Sequence, residues 1–317
     1  MNPPVTVILF PVYNDWKELE HLITALPGAL TVIPEKFELL IINDGSTETA
    51  FDTSGLPYPA SIVHLRYNLG HQKAIAIGLS YLHTAMKFQK VLVMDADGDD
   101  RPEDAARLLA EAVRSPSSII VGRRSRRNEK GMKRLLYFTY LRGFKLLTGK
   151  SIRSGNFCVI PCRGVKELIF KGDIWLHLAG GIVKSKLPVR SINTSKGHRY
   201  HGVSKMNFGA LVYHGMAALA TFIDVIAVRL LVGSILAIVV SVLALIGIFI
   251  IKTSTDLGIP GWASTLGGTV VVIILISFLI ALFLIFSFLS SQSYQKLIPG
   301  IHFEDFIDNV QSHNDGN

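Results

Sequence analysis

Residues 90–104 read KVLVMDADGDDRPED, and the fold turns on this stretch. An apolar, β-branched run from Lys90 to Met94 ends in carboxylates and then meets Arg101-Pro102-Glu103-Asp104. Proline and acids in that position suit a first helical turn. A strand that passes through a polar loop into a helix is half of a βαβ unit. Asp95, Asp97 and Asp99 alternate at the strand end, so their carboxylates leave the sheet together. Oxygen clusters of this kind suit Mg2+ or Mn2+, which can bridge a nucleotide diphosphate. A solvated acidic turn capping the next helix is the plain alternative, and Asp-x-Asp alone does not separate the two.

The same alternation extends from the start of the chain to about residue 122. Strands are expected at Val5 to Phe10, Phe37 to Ile42, Ser61 to Leu65 and Ser118 to Val121, with helices at Trp16 to Leu26, Lys73 to Met86 and Pro102 to Val113. This is an α/β pattern around a largely parallel sheet. Two more strands run into polar loops, Pro11-Val12-Tyr13-Asn14 and Asn43-Asp44-Gly45-Ser46-Thr47. In open α/β sheets ligands sit just beyond the carboxyl ends of strands, so a site should form there. Asp44 can accept hydrogen bonds from a base or ribose, or simply close an Asx-turn. Residues 66–73, RYNLGHQK, place a glycine loop with cationic and amide groups before a helix N-terminus, where phosphate is favoured.

Beyond residue 229 the composition changes. The chain has 317 residues, of which 49% are hydrophobic, and much of that excess lies in two charge-free runs, Leu230 to Ile251 and Val270 to Leu289. About 20 residues at about 1.5 Å each cross a hydrocarbon core, so both read as spans. Arg229 precedes the first run and Lys296 follows the second, while the connection carries only Lys252 and Asp256. The positive-inside rule, joined to the basic N-terminal half, then puts that half and both termini in the cytosol. The expected divisions are a catalytic domain over 1–205, an interfacial amphipathic segment over 206–228, two transmembrane helices within 229–290 and a cytosolic tail over 291–317.

The formal net charge of +8 calls for an anionic partner. A basic run from Arg123 to Arg134 adjoins a Leu-Tyr-Phe-Tyr stretch and lacks any nucleic-acid motif, which favours lipid headgroups over nucleic acid. Cys158 and Cys162 have no second cysteine pair to complete a zinc site, and a reduced compartment is the default. The N-terminus has no basic region before its apolar run and does not read as a signal peptide. Nothing in the sequence bears on whether the chain forms a homo-oligomer.

FPVYND, INDGST, RYNLGHQKAIAIGL and MDADGDDRPED stand in an order and spacing that resembles family 2 glycosyltransferases over roughly residues 5–122. R-x-x-G-x-S-K, here Arg199, Gly202, Ser204 and Lys205, and the paired spans are similar to the branch containing dolichol-phosphate mannose synthase and bacterial polyprenyl-phosphate glycosyltransferases. The resemblance implies a GT-A (nucleotide-diphospho-sugar transferase) fold with interfacial helices and a C-terminal two-helix transmembrane anchor. It also implies an inverting transfer, in envelope-glycan synthesis at a bacterial inner membrane, from a UDP- or GDP-linked sugar to a polyprenyl phosphate. Pro11, Tyr13, Asn14, Asp44, Asn68, Lys73, Asp95, Ala96, Asp97 and Arg123 are implied as donor-binding, Asp95, Asp97 and Asp99 as metal ligands. Arg124, Arg127, Arg199, Ser204 and Lys205 are implied for the acceptor phosphate.

One departure concerns the acceptor. Many relatives carry D-x-G-D-F-R-L where this chain has Arg153-Ser154-Gly155-Asn156-Phe157-Cys158-Val159, so both acidic positions are gone. A hydroxyl acceptor needs a general base, whereas a phosphate with a second pKa of about 6 is already ionised. Arg153 fits an anionic acceptor. Asp97, Arg153 and Asn156 are the nearest candidates for the reacting centre, with Asp173 and His177 as substitute bases for a hydroxyl acceptor. The alternative outcomes are a glycolipid or lipid-linked saccharide acceptor, and an inactive membrane scaffold.

Overall fold

The computed structural model describes residues 5–124, 132–151, 155–195, 197, 208–254, 261–293 and 297–313. The chain runs β1 (Val5–Val12), α1 (Trp16–Leu30), β2 (Lys36–Asn43), β3 (Ala60–Leu65), α2 (His71–Ala85), β4 (Lys90–Val93), α3 (Pro102–Arg114) and β5 (Ile119–Arg124). These are the elements expected from the hydrophobic pattern, with ends moved by a few residues. There follow α4 (Met132–Thr148), β6 (Cys158–Pro161), α5 (Cys162–Leu168), α6 (Asp173–Leu176), α7 (Leu178–Ser185), β7 (Val189–Thr194) and α8 (Phe208–Ala220). Two long helices, α9 (Ile223–Ser254) and α10 (Trp262–Ser293), precede α11 (Pro299–His302), a 3-10 turn (Phe303–Phe306) and β8 (Ile307–His313).

Two compact units emerge. The first comprises residues 1–140, 150–221 and 296–317, the second residues 141–149 and 222–295. In the first, one eight-stranded sheet has the order β7-β5-β6-β4-β1-β2-β3-β8. The expected parallel core is present, since β1 pairs in parallel with β2 and β4, and β2 with β3. Mixed character comes from β6, which runs antiparallel between β4 and β5, and from β8, antiparallel on β3.

The central strands are buried on both faces, and their alternate residues sort into two cores. Val7, Leu9, Leu40, Ile42 and Val91 meet α2, while Ile8, Phe10, Leu39, Ile41 and Leu92 meet α1 and α3. Pro11 lies inside the central β1, where a missing N–H ordinarily breaks a ladder. The pairing of β1 with β4 stops at Leu9↔Val93, and the Val12 carbonyl accepts from Asp44 N on the β2 side. Pro11 therefore faces the side on which the ladder has already ended.

In the second unit α9 and α10 are 32 residues each, with Val240, Leu243, Phe249, Leu279, Phe283 and Phe286 among their exposed side chains. At about 1.5 Å per residue both exceed a hydrocarbon core of about 30 Å. They are longer than the charge-free runs because Asp224 and Arg229 fall within α9. The segment expected to be one interfacial helix over 206–228 therefore splits between α8 and the start of α9. Arg229 Nη1 donates to the Leu146 carbonyl at 2.7 Å, so this cation caps the last turn of α4, where the helix dipole favours it. Gly149, at φ +71°, leaves the space the guanidinium needs.

The stretch after α10 is not a loose tail. Pro299 and Phe303 are buried, Gly300 N donates to Ile169 O at 2.9 Å, and β8 completes the sheet edge along β3. The sequence shows no strand here because IDNVQSH is mostly polar. An edge strand needs little apolar burial when its backbone is paired.

Candidate active site

The acidic loop follows β4, as the sequence implies. Asp99 and Asp100 are buried, and Arg124 at the end of β5 lies 3.5 Å from each carboxylate. Asp100 Oδ2 accepts from Asp95 N at 3.1 Å and Asp97 Oδ1 from Asp99 N at 3.0 Å, which folds the loop on itself. Burial, reinforced by the charge of Asp95, pushes the Asp100 carboxyl up to about 8. Arg124 opposes that rise. Arg124, expected to serve an acceptor phosphate, here contacts both carboxylates and ties the end of β5 to the acidic loop.

Among the described residues, no three carboxylate, imidazole or thiolate groups converge closely enough to cage a metal ion. The donor set suits a hard divalent cation held by one or two carboxylates and completed by phosphate oxygens. Asp95 and Asp97 fit that use.

Asp44 is 2% exposed, and its two oxygens accept from Leu69 N at 2.7 Å and Gly70 N at 2.9 Å. Burial raises its pKa, opposed by those two N–H groups and by the nearby His71 and Lys73. The loop before α2 was expected to receive phosphate on its amides. Two of those amides are already taken by Asp44, an anion supplied by the chain itself. Gly45, at φ +67°, passes so close to the next loop that a Cβ would lie 2.6 Å from Asn68 N. Asn14 ties the first loop to the second, its Oδ1 accepting from Thr47 N at 2.9 Å and Glu48 N at 3.2 Å. Tyr13 stands 41% exposed beside it.

His71 and Gln72, in the first turn of α2, join the acidic loop to the later segments. His71 Nε2 lies 3.1 Å from Asp95 Oδ1 and 2.9 Å from Asn156 Nδ2. Desolvation pulls the His71 pKa down, but Asp95, with Asp97 and Asp44, outweighs it and raises the pKa. Gln72 donates to Asn156 Oδ1 at 3.1 Å and accepts from Leu178 N at 2.7 Å. Neither residue was singled out from the sequence, although both lie in the quoted RYNLGHQK. Asp100 was passed over too, because an acidic run does not reveal which carboxylate turns inward.

The two substitute bases are otherwise engaged. His177 is 3% exposed and its Nδ1 accepts from Gly180 N at 3.0 Å, an N-cap for α7. Asp173 accepts from Lys184 Nζ at 3.1 Å. Arg123 is exposed at the end of β5, and Ala96 is buried in the acidic loop. Gly197 N donates to Asp99 O at 2.9 Å, and Ser195 N to Asp104 Oδ2 at 2.8 Å, so the strand-end after β7 is moored on the acidic loop and on the first turn of α3. Arg127, Arg153, Arg199, Ser204 and Lys205 lie outside the described residues.

Residues 7–170 match the profile of Glycosyl transferase family 2. The chain belongs to that family. It is therefore an enzyme of the glycosyltransferase class, with the GT-A-like fold. An uncharacterized glycosyltransferase of Synechocystis sp. is 25% identical over 265 residues, covering 81% of each chain. An undecaprenyl-phosphate 4-deoxy-4-formamido-L-arabinose transferase of Enterobacter sp. is 29% identical over 110 residues, 33% of this chain and 32% of the relative. Among solved structures, glucosyl-3-phosphoglycerate synthase from Mycobacterium tuberculosis in complex with Mn2+, uridine diphosphate and phosphoglyceric acid has a TM-score of 0.50. It is 14% identical, covering 71% of this chain and 78% of that one, a likeness of fold.

Proposed function

We propose that this glycosyltransferase moves a sugar, with inversion, from a UDP- or GDP-linked donor to a polyprenyl phosphate at the cytosolic face of a membrane. One observation carries the choice of acceptor: the side chains standing for a general base are committed elsewhere. Asn156 is an amide bonded to Gln72 and close to His71, Asp173 is paired with Lys184, and His177 caps α7. A hydroxyl acceptor needs its proton removed, whereas a phosphate is already ionised and needs charge neutralisation. Relatives named for undecaprenyl phosphate and dodecaprenyl phosphate support the same acceptor.

Asp95 and Asp97 would hold Mg2+ or Mn2+ together with the donor diphosphate. The ion, when bound, offsets the charge that develops on the departing nucleotide. Asp44 holds the loop that shapes the nucleoside pocket, with Pro11, Tyr13, Asn14, Asn68 and Ala96 around it. Lys73 and Arg123 supply positive charge to the diphosphate, and Arg127, Arg153, Arg199, Ser204 and Lys205 to the acceptor. The apolar α9 and α10 form the anchor, and the return of the chain to β3 supports an even number of crossings.

The test incubates membranes containing the protein with a panel of labelled nucleotide sugars and added polyprenyl phosphate, with and without a chelator. Label should enter lipid only with the metal present, in a product released by mild acid. An acid-stable lipid product would transfer the assignment to a hydroxyl acceptor. No label in lipid with any donor would overturn it.

A further inference from the structure

The segment beyond the second long helix reaches the rim of the donor site. Phe306 O accepts from Arg66 N at 3.0 Å, in the loop between β3 and α2. The Phe306 ring packs on Trp175 with centroids 5.3 Å apart and planes tilted by 53°. Trp175 is 8% exposed, and the ammonium of Lys73 sits 5.9 Å from the centre of its ring. That is within the range over which a cation is drawn to an aromatic face. Lys73 also bears on Asp44 electrostatically, and it follows His71 and Gln72 on the same helical turn. Phe303, buried in the α2 side of the sheet, and the β3–β8 pairing hold the segment on either side of Phe306.

We propose that Phe306 is a positioning residue for the donor site, holding Trp175 so that its ring keeps the Lys73 ammonium at the mouth of the nucleotide pocket. This rests on the donor-site assignment above for its functional consequence, though not for the contact itself. A free lysine ammonium on a four-carbon stem has many rotamers, and an aromatic face narrows them before the diphosphate arrives. The residue sits on a stretch that follows directly from α10 and α11, so part of the donor site is built only after the last long helix has been made.

The experiment uses the full-length protein in detergent, as wild type, Phe306→Ala, Phe306→Tyr and Trp175→Leu. Trace labelling of amines, read by mass spectrometry, should show Lys73 reacting about threefold faster or more in Phe306→Ala and Trp175→Leu, relative to Lys17 and Lys36. Phe306→Tyr, which keeps the ring, should restore the wild-type rate. Calorimetric titration with UDP and with GDP, each with Mn2+, should show binding weakened by about three- to tenfold in the first two variants and restored in Phe306→Tyr. An unchanged Lys73 rate, or an equal rise at all three lysines, would overturn the proposal. So would a changed Lys73 rate with unchanged affinity for a nucleotide that the wild type binds. If the wild type binds neither nucleotide while Lys73 still responds to Phe306, the donor assignment fails and the hold on Lys73 stands.

Discussion

Asp44 follows β2 and Asp95 follows shortly after β4, the two strands that flank β1, and their carboxylates are used differently. Asp44 spends its oxygens on Leu69 N and Gly70 N, while Asp95 turns towards His71. Replacing Asp95 or Asp97 with Asn keeps the shape and removes the anionic ligand. Transfer should fall on the order of 100-fold or more, measured as label entering lipid, with the melting temperature little changed. Gln72→Ala removes two bonds that together tie Asn156 and Leu178 to α2. At about 0.5–1.5 kcal/mol for each net bond, it should lower stability by about 1–3 kcal/mol. Gln72→Glu keeps the acceptor for Leu178 N and should recover part of that, as thermal melts would show. The place of Asp95 and Asp97 just beyond β4 was legible because alternation at a strand end is a local pattern. His71 and Gln72 were not, because their partners lie in other segments, 84 and more residues away in the case of Asn156.

At the scale of elements, α2 sits very close to the sheet, and Gly78 allows it. A Cβ there would lie 2.7 Å from Leu9 Cδ1 and 2.8 Å from Ile42 Cγ1. Gly78→Val should therefore destabilise the fold by about 1–3 kcal/mol through overpacking, read from unfolding curves of the purified protein. The strands β1 to β5 and helices α1 to α3 were legible because each buries a face with a clear period. β8 was not, since IDNVQSH has neither alternation nor an apolar run, and only β3 gives it a place. The same holds for β6, a four-residue strand whose position between β4 and β5 depends on both neighbours.

At the scale of the whole molecule, if α9 and α10 cross a membrane as proposed, pairing of β8 with β3 requires the chain to return to the side from which it left. Protease or antibody probes should reach tags at the N-terminus and after residue 317 from the same face of sealed vesicles. Tags on opposite faces would contradict the pairing. Composition alone determined that two long apolar helices follow an α/β half, because charge-free runs of that length have few other uses. Ordered strand-end motifs determined the family, and they make the carboxyl ends of the parallel strands the expected place for its site, since ligands gather there. Only the tertiary structure decided that Asp44 fills the anion position before α2, that Arg124 braces Asp99 and Asp100, and that the last residues complete the sheet. Those are choices among partners distant in the chain, and a one-dimensional pattern does not say which charge meets which.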